Sequence, residues 1–76
     1  MELAPGITAD ATVCHGQPVV AGTRVLVSVI VGSLAGGMSI EEVVREYDVT
    51  EQDVRAALRF AADLTSRESI HPLPAP

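Results

Sequence analysis

Cys14 and His15 are the first neighbours in this chain whose side chains could do chemistry together. A thiol beside an imidazole can serve as a nucleophile with its own base. Successive residues on an extended strand point to opposite faces, however, so the pair reads as a small thiol and a turn histidine. The other histidine, His71, is distant, and one cysteine with two separated histidines falls short of a metal-ligating set. A single cysteine also excludes an intramolecular disulfide. The carboxylates Glu41, Glu42, Glu46 and Asp48 fall on the outer side of one helical segment, where solvation accounts for them. No catalytic set converges, which disfavours an enzyme and implies no cofactor.

The cations are the more selective signal. The chain has five arginines and no lysine. Arg24 sits in a glycine-bounded turn and admits two readings. Its planar fork suits a carboxylate across an interface, or it holds its own hairpin to Asp10 or Glu2. Gln52, Arg55 and Arg59 share one side of a helical segment. Glutamine can read adenine, and arginine can read guanine or hold phosphate. Against this, Glu51 and Asp53 crowd the helix start where phosphate would approach. The bland reading is a solvated face with an Arg59–Asp63 pair worth only ~0.3 kcal/mol. Arg67 opens a tail containing Pro72, Pro74 and Pro76.

Seventy-six residues make one domain with a marginal core. Yet 47% of the residues are hydrophobic, with one Tyr and one Phe, so the apolar content is Val, Ala, Leu and Ile. The runs Val19-Val20 and Val25-Leu26-Val27 exceed what one small helical core can cover. They predict a homodimer or partner interface in the N-terminal half, through Val19, Val20, Arg24, Val25 and Val27. Net charge is −5. Strong solitary DNA binding needs a basic footprint, so this balance disfavours it and suits a basic partner. The stretch 25–38 is interrupted by glycines and serines and is shorter than the ~20 apolar residues a bilayer requires. No secretory signal is visible, so a cytoplasmic location is expected.

These residues must be positioned by an α+β, mostly helical fold. Residues 1–10 read as a loose arm ending in an extended piece near Ile7. Residues 12–14 and 19–20 read as the strands of a hairpin around His15-Gly16-Gln17-Pro18. Ser28 is a candidate N-cap for a first helix over 29–35, stopped by Gly36-Gly37. Ser39-Ile40-Glu41-Glu42 matches a capping box. Ile40, Val43, Val44 and Tyr47 then fall at i, i+3, i+4 and i+7 as one apolar stripe. Thr50, with Asp53 in the reciprocal position, caps a third helix. Its expected buried face is Val54, Ala57, Leu58, Ala61, Leu64 and Thr65, with Leu58 at the centre. The second and third helices, joined by Asp48-Val49-Thr50, have helix-turn-helix proportions. The expected organisation is one domain over 1–66, with a β-arm (1–27) and a trihelical core (28–66), followed by a flexible Pro-rich tail (67–76).

One segment is built with more specificity than its chemistry requires. His15-Gly16-Gln17-Pro18-Val19-Val20-Ala21-Gly22-Thr23-Arg24-Val25-Leu26-Val27 resembles the signature of domain of unknown function 433, Gly-Lys-Pro-x-x-x-Gly-Thr-Arg-x-x-Val. Gly16, Pro18, Gly22, Thr23, Arg24 and Val27 match. Gln17 replaces the usual lysine, and Leu26 stands where proline is frequent. The resemblance continues through residues 37–42, Tyr47, residues 53–58 and Ala61-Ala62. It implies a homeodomain-like trihelical core and a VapB-like antitoxin of a type II toxin–antitoxin pair, whose partner resembles a PIN-type ribonuclease.

The combined expectation is a non-enzymatic antitoxin that neutralises such a ribonuclease and regulates its own operon through weak operator binding. The rivals are a small DNA-binding transcriptional regulator and a dimeric interaction module without a toxin. PIN-like ribonucleases resemble one another in an acidic, metal-holding cluster, which an inserted arginine fork would block. Arg67, at the start of the tail, is the expected plug, with Arg24 next.

Overall fold

The computed structural model describes residues 1–67 of the 76. The elements in order are β1 (Glu2–Ala4), β2 (Ile7–Thr8), β3 (Val19–Val20), α1 (Val27–Ala35), α2 (Ile40–Tyr47) and α3 (Glu51–Arg67). The fold is α+β and mostly helical, with a three-stranded antiparallel sheet in the order β1-β2-β3. The partner of β3 differs from the expected one. Val19 and Val20 pair with Thr8 and Ile7, not with residues 12–14. The arm over 1–10 is therefore a hairpin, not a loose lead-in.

Two local causes divert residues 12–14. Asp10 Oδ1 accepts from the Thr12 N–H at 2.8 Å and from the Thr12 hydroxyl, a turn that Asp makes with its own backbone. Cys14 and His15 then take φ of 49° and 58°, which reverses the chain instead of extending it. β2 wins the pairing because it brings Ile7 into the interior, where the residue is fully buried.

The signature segment is a self-bonded turn. Val20, Ala21, Gly22 and Thr23 close on the Thr23 N–H to Val20 carbonyl bond of 3.0 Å. Gly22 at φ 77° fills the position where a turn of this kind demands a left-handed backbone. The Thr23 hydroxyl donates to the Val20 carbonyl at 2.8 Å and accepts from the Val25 N–H at 3.0 Å. The chain then runs back along β3, covering its outer edge through the Val20 N–H to Val25 carbonyl bond.

α1 starts at Val27, two residues earlier than expected, and Ser28 does not cap it. The N-cap is Leu26, without a side-chain bond. The Val27 N–H, an orphan donor at the helix start, is satisfied by the Pro18 carbonyl at 3.0 Å. Paired bonds from Gly37 to Leu34 and from Met38 to Ser33 end α1 as expected at the two glycines. α2 opens with the full Ser39–Glu42 capping box. α3 opens with the reciprocal bonds Asp53 N–H to Thr50 Oγ1 (3.0 Å) and Thr50 N–H to Asp53 Oδ2 (2.9 Å).

The core is wholly aliphatic. Ile7, Val20, Val27, Ile30, Val43, Val49, Val54 and Ala57 form one buried cluster. α1, α2 and α3 pack pairwise, and α3 also meets β2 and β3. Val49, the middle residue of the α2–α3 connection, is a core residue. The face of α3 is displaced by one residue from the expected one. Ala57 is fully buried, whereas Leu58 keeps 37% of its surface, Leu64 49%, and Thr65 is exposed. α3 also continues through Ser66 and Arg67, so helix replaces the expected start of the tail.

Candidate functional site

Four parts of the structure test the sequence reading of function, and the first is the signature turn. Arg24 is exposed on it and contributes to a concavity of about 560 Å³ together with Thr8, Asp10, Val13 and Thr23. Gly22 supplies the left-handed backbone of the turn, and Thr23 closes it through its N–H and hydroxyl. Its next crossing is a weak bond from the Cys14 thiol to the Arg24 carbonyl at 3.5 Å. Asp10, on the far side of the concavity, has its carboxyl held below the usual range, first by the Thr12 hydroxyl and then by the Thr12 N–H. The ion pairs among the described residues are Arg55–Glu51 and Arg67–Asp63. Neither Asp10 nor Glu2 engages Arg24 in one.

The second area is the outer side of α3. Gln52, Arg55 and Arg59 are brought together there, lining a hollow of about 410 Å³ with Pro5, Gly6 and Asp53. The β1–β2 turn lies against this side of the helix. A Cβ built on Gly6 would approach the Ala56 Cβ at 3.3 Å, so the turn fits closely only as glycine. Arg55 is paired with Glu51 at 3.7 Å. The expected Arg59–Asp63 pair is replaced, because Asp63 binds Arg67 at 2.8 Å.

The third is the set read as an interface in the N-terminal half. Val19, Val20 and Val27 are core residues, 3%, 1% and 6% exposed, so they are not a surface in this fold. Val25 is half-buried against that core. The sequence reading missed that β2 and α1 would cover these valines, because Ile7 lay in what looked like a loose arm. Arg67 stands in the last turn of α3. The remainder of the expected tail, 68–76, lies outside the described residues.

The fourth was not anticipated. α1 and the second half of α3 leave an apolar groove between them, lined by Val31, Phe60 and Leu64 among others. Ala61 and Leu64 had been assigned to the buried face of α3. The signal was present in the lengths. α1 has nine residues and α3 has seventeen, so the apolar stripe of α3 outruns the helix that faces it.

None of these areas assembles catalytic groups. Cys14 and His15 share a left-handed turn, and His15 is exposed. Among the described residues, no group of three or more His, Cys, Asp or Glu side chains could hold a metal. No helix among them is long and apolar enough to cross a membrane.

No curated protein matches the chain. Among solved structures, the crystal structure of Rv2018 from Mycobacterium tuberculosis matches with a TM-score of 0.63 and 35% identity. The match covers 68% of this chain and 24% of that one, so the chain corresponds to about a quarter of Rv2018. The family model described as protein of unknown function (DUF433) matches residues 7–61, from the buried isoleucine of β2 into the second half of α3. The chain belongs to the DUF433 family.

Proposed function

We propose that this chain is a non-enzymatic binding module that acts as an antitoxin, neutralising a PIN-like ribonuclease with Arg24 as the inserted cation. The observation that carries the reading is Arg24 itself. It is an exposed guanidinium without an ion-pair partner among the described residues, presented by a turn that Gly22 and Thr23 close with their own backbone and hydroxyl. A preorganised fork pays less entropy on meeting paired carboxylates. The resemblance of the signature to antitoxins supports the same reading. Arg67 fits it less well, because Asp63 already holds its guanidinium at 2.8 Å.

The test uses the purified ribonuclease encoded beside this chain and its activity on RNA. The wild-type chain should inhibit it. Arg24→Ala should weaken inhibition by tens-fold, as loss of one partner of a desolvated charge pair does. Arg67→Ala should inhibit like the wild type. A wild-type chain that leaves the ribonuclease fully active would overturn the reading.

A helix-turn-helix role is the second reading, favoured by the gathering of Gln52, Arg55 and Arg59 on one side of α3. In this reading α2 and α3 form a homeodomain-like pair. Glu51 and Asp53 oppose phosphate at the helix start, so operator binding would be weak for the chain alone and would rise in the complex with a basic toxin. Salt-dependent operator binding by the lone chain would instead select a stand-alone regulator.

A further inference from the structure

Two side chains of opposite charge line one concavity of this fold. Arg24 comes from the signature turn and Asp10 from the bend after β2, and Thr8, Val13 and Val19 share the lining. The concavity measures about 560 Å³. That lies in the range of sites that hold a ligand, ~300–1,000 Å³. Arg24 and Asp10 do not pair with each other, since the ion pairs among the described residues are Arg55–Glu51 and Arg67–Asp63. Local bonding fixes the Asp10 carboxylate. Its Oδ1 accepts the Thr12 hydroxyl at 2.6 Å and the Thr12 N–H at 2.8 Å, so Oδ2 is the oxygen that this turn does not use. Met1 also lines the concavity, with its ammonium bonded to the Ala9 carbonyl at 2.9 Å. Among the influences that lower the Asp10 carboxyl, the Thr12 hydroxyl comes first, the Thr12 N–H second and this ammonium last.

We propose that this concavity binds an acid and a base presented side by side by the ribonuclease, the partner carboxylate on Arg24 and a partner lysine or arginine on Asp10. The inference rests on the antitoxin reading above and adds a second pole to it. A partner offering only carboxylates would be held at Arg24 and repelled at Asp10. A partner offering only cations would meet the reverse. A pair of opposite sign, in one orientation, satisfies both, so Arg24 anchors the partner and Asp10 selects it. Val13 and Val19 add apolar lining, against which the aliphatic stem of a lysine or arginine can lie. The net charge of −5 draws in a basic surface, and Arg24 picks out the acid within it.

The experiment measures binding of the full chain to the purified ribonuclease encoded beside it, by surface plasmon resonance at physiological salt. Asp10→Asn removes the charge and keeps an oxygen for Thr12, because asparagine makes the same turn. Its circular dichroism should match the wild type. It should weaken binding about five- to tenfold, and Asp10→Lys, which reverses the charge, should weaken it further. Arg24→Ala should weaken binding by tens-fold. Glu68→Gln should bind like the wild type. An Asp10→Asn chain that binds as tightly as the wild type, beside an Arg24→Ala chain that does not, overturns this inference and leaves the antitoxin reading standing. An Asp10→Lys chain that binds more tightly than the wild type does the same, because the partner would then present an acid at that pole. A Glu68→Gln chain that binds at least about tenfold more tightly gives the concavity to a carboxylate of the chain itself, and overturns the inference as well. A wild-type chain that does not bind the ribonuclease overturns the antitoxin reading and this inference together.

Discussion

Ala57 has no exposed surface, while the larger Leu58 beside it keeps 37%. The inner face of α3 is centred on a methyl group because helix and body approach closely there. Side-chain size therefore pointed one residue away from the true centre. The two substitutions that probe this are opposite in kind. Leu58→Ala should cost under about 1.5 kcal/mol, because much of the side chain is already in water, against ~2–5 kcal/mol for a buried leucine. Ala57→Leu should cost about 1–3 kcal/mol through overpacking. Urea unfolding of both variants checks the order, and a larger loss for Leu58→Ala would return the face to where its size placed it. Arg24 teaches the same lesson at the surface. Its position in the turn after Gly22 was legible, but its lack of an ion-pair partner among the described residues was not, because that depends on where Asp10 turns away.

At the scale of elements, the helix boundaries set by local chemistry were legible and those set by distant chain were not. Ser39–Glu42 and Thr50–Asp53 bond as their spacing requires, since every group involved lies within one turn. The start of α1 is fixed by the Pro18 carbonyl, nine residues upstream, and no capping rule could find it. The hairpin failed for the same reason, since β3 passed over its near neighbour for Ile7 and Thr8. The caps make a measurable prediction. Thr50→Ala should lower stability by about 1 kcal/mol, the usual worth of a lost N-cap. Glu42 adds a pH dependence. Its carboxyl lies below its ordinary value of 4.5, first through the Ser39 N–H and then through the Ser39 hydroxyl. A depressed folded-state value means that its contribution is complete above the ordinary value and is lost as pH falls through the folded one. Glu42→Gln should therefore make the acid limb of stability against pH shallower. Asp10, shifted in the same direction, should keep the limb from vanishing. An acid limb identical to that of the wild type would show that the box does not persist in solution.

At the scale of the whole molecule, three short helices and three very short strands share one core, and Ile7 joins them. It is fully buried within the same cluster as Ile30, Val43 and Val54, one from each helix. The sheet cannot stand alone, because strands of two and three residues are far too short for that. The helices cannot close alone either, because Val20 and Ile7 fill the side of the cluster that α3 presents to β2 and β3. The molecule should therefore unfold as one unit. A 76-residue domain carries only about 4–11 kcal/mol in total. Ile7→Ala should remove ~2–5 kcal/mol of that, a large share from a residue twenty positions before the first helix. Ile7→Val should cost only ~0.5–1.5 kcal/mol, because one methylene leaves little cavity. The measurement is urea unfolding at fixed protein concentration, since self-association would couple stability to concentration. It should be followed by far-ultraviolet circular dichroism and by the fluorescence of Tyr47, whose hydroxyl shares a 2.8 Å hydrogen bond with Ser33 between α2 and α1. Both probes should report one transition, shifted equally by Ile7→Ala. If the substitution leaves both midpoints in place, the N-terminal hairpin is an appendage, and the three helices hold together without it.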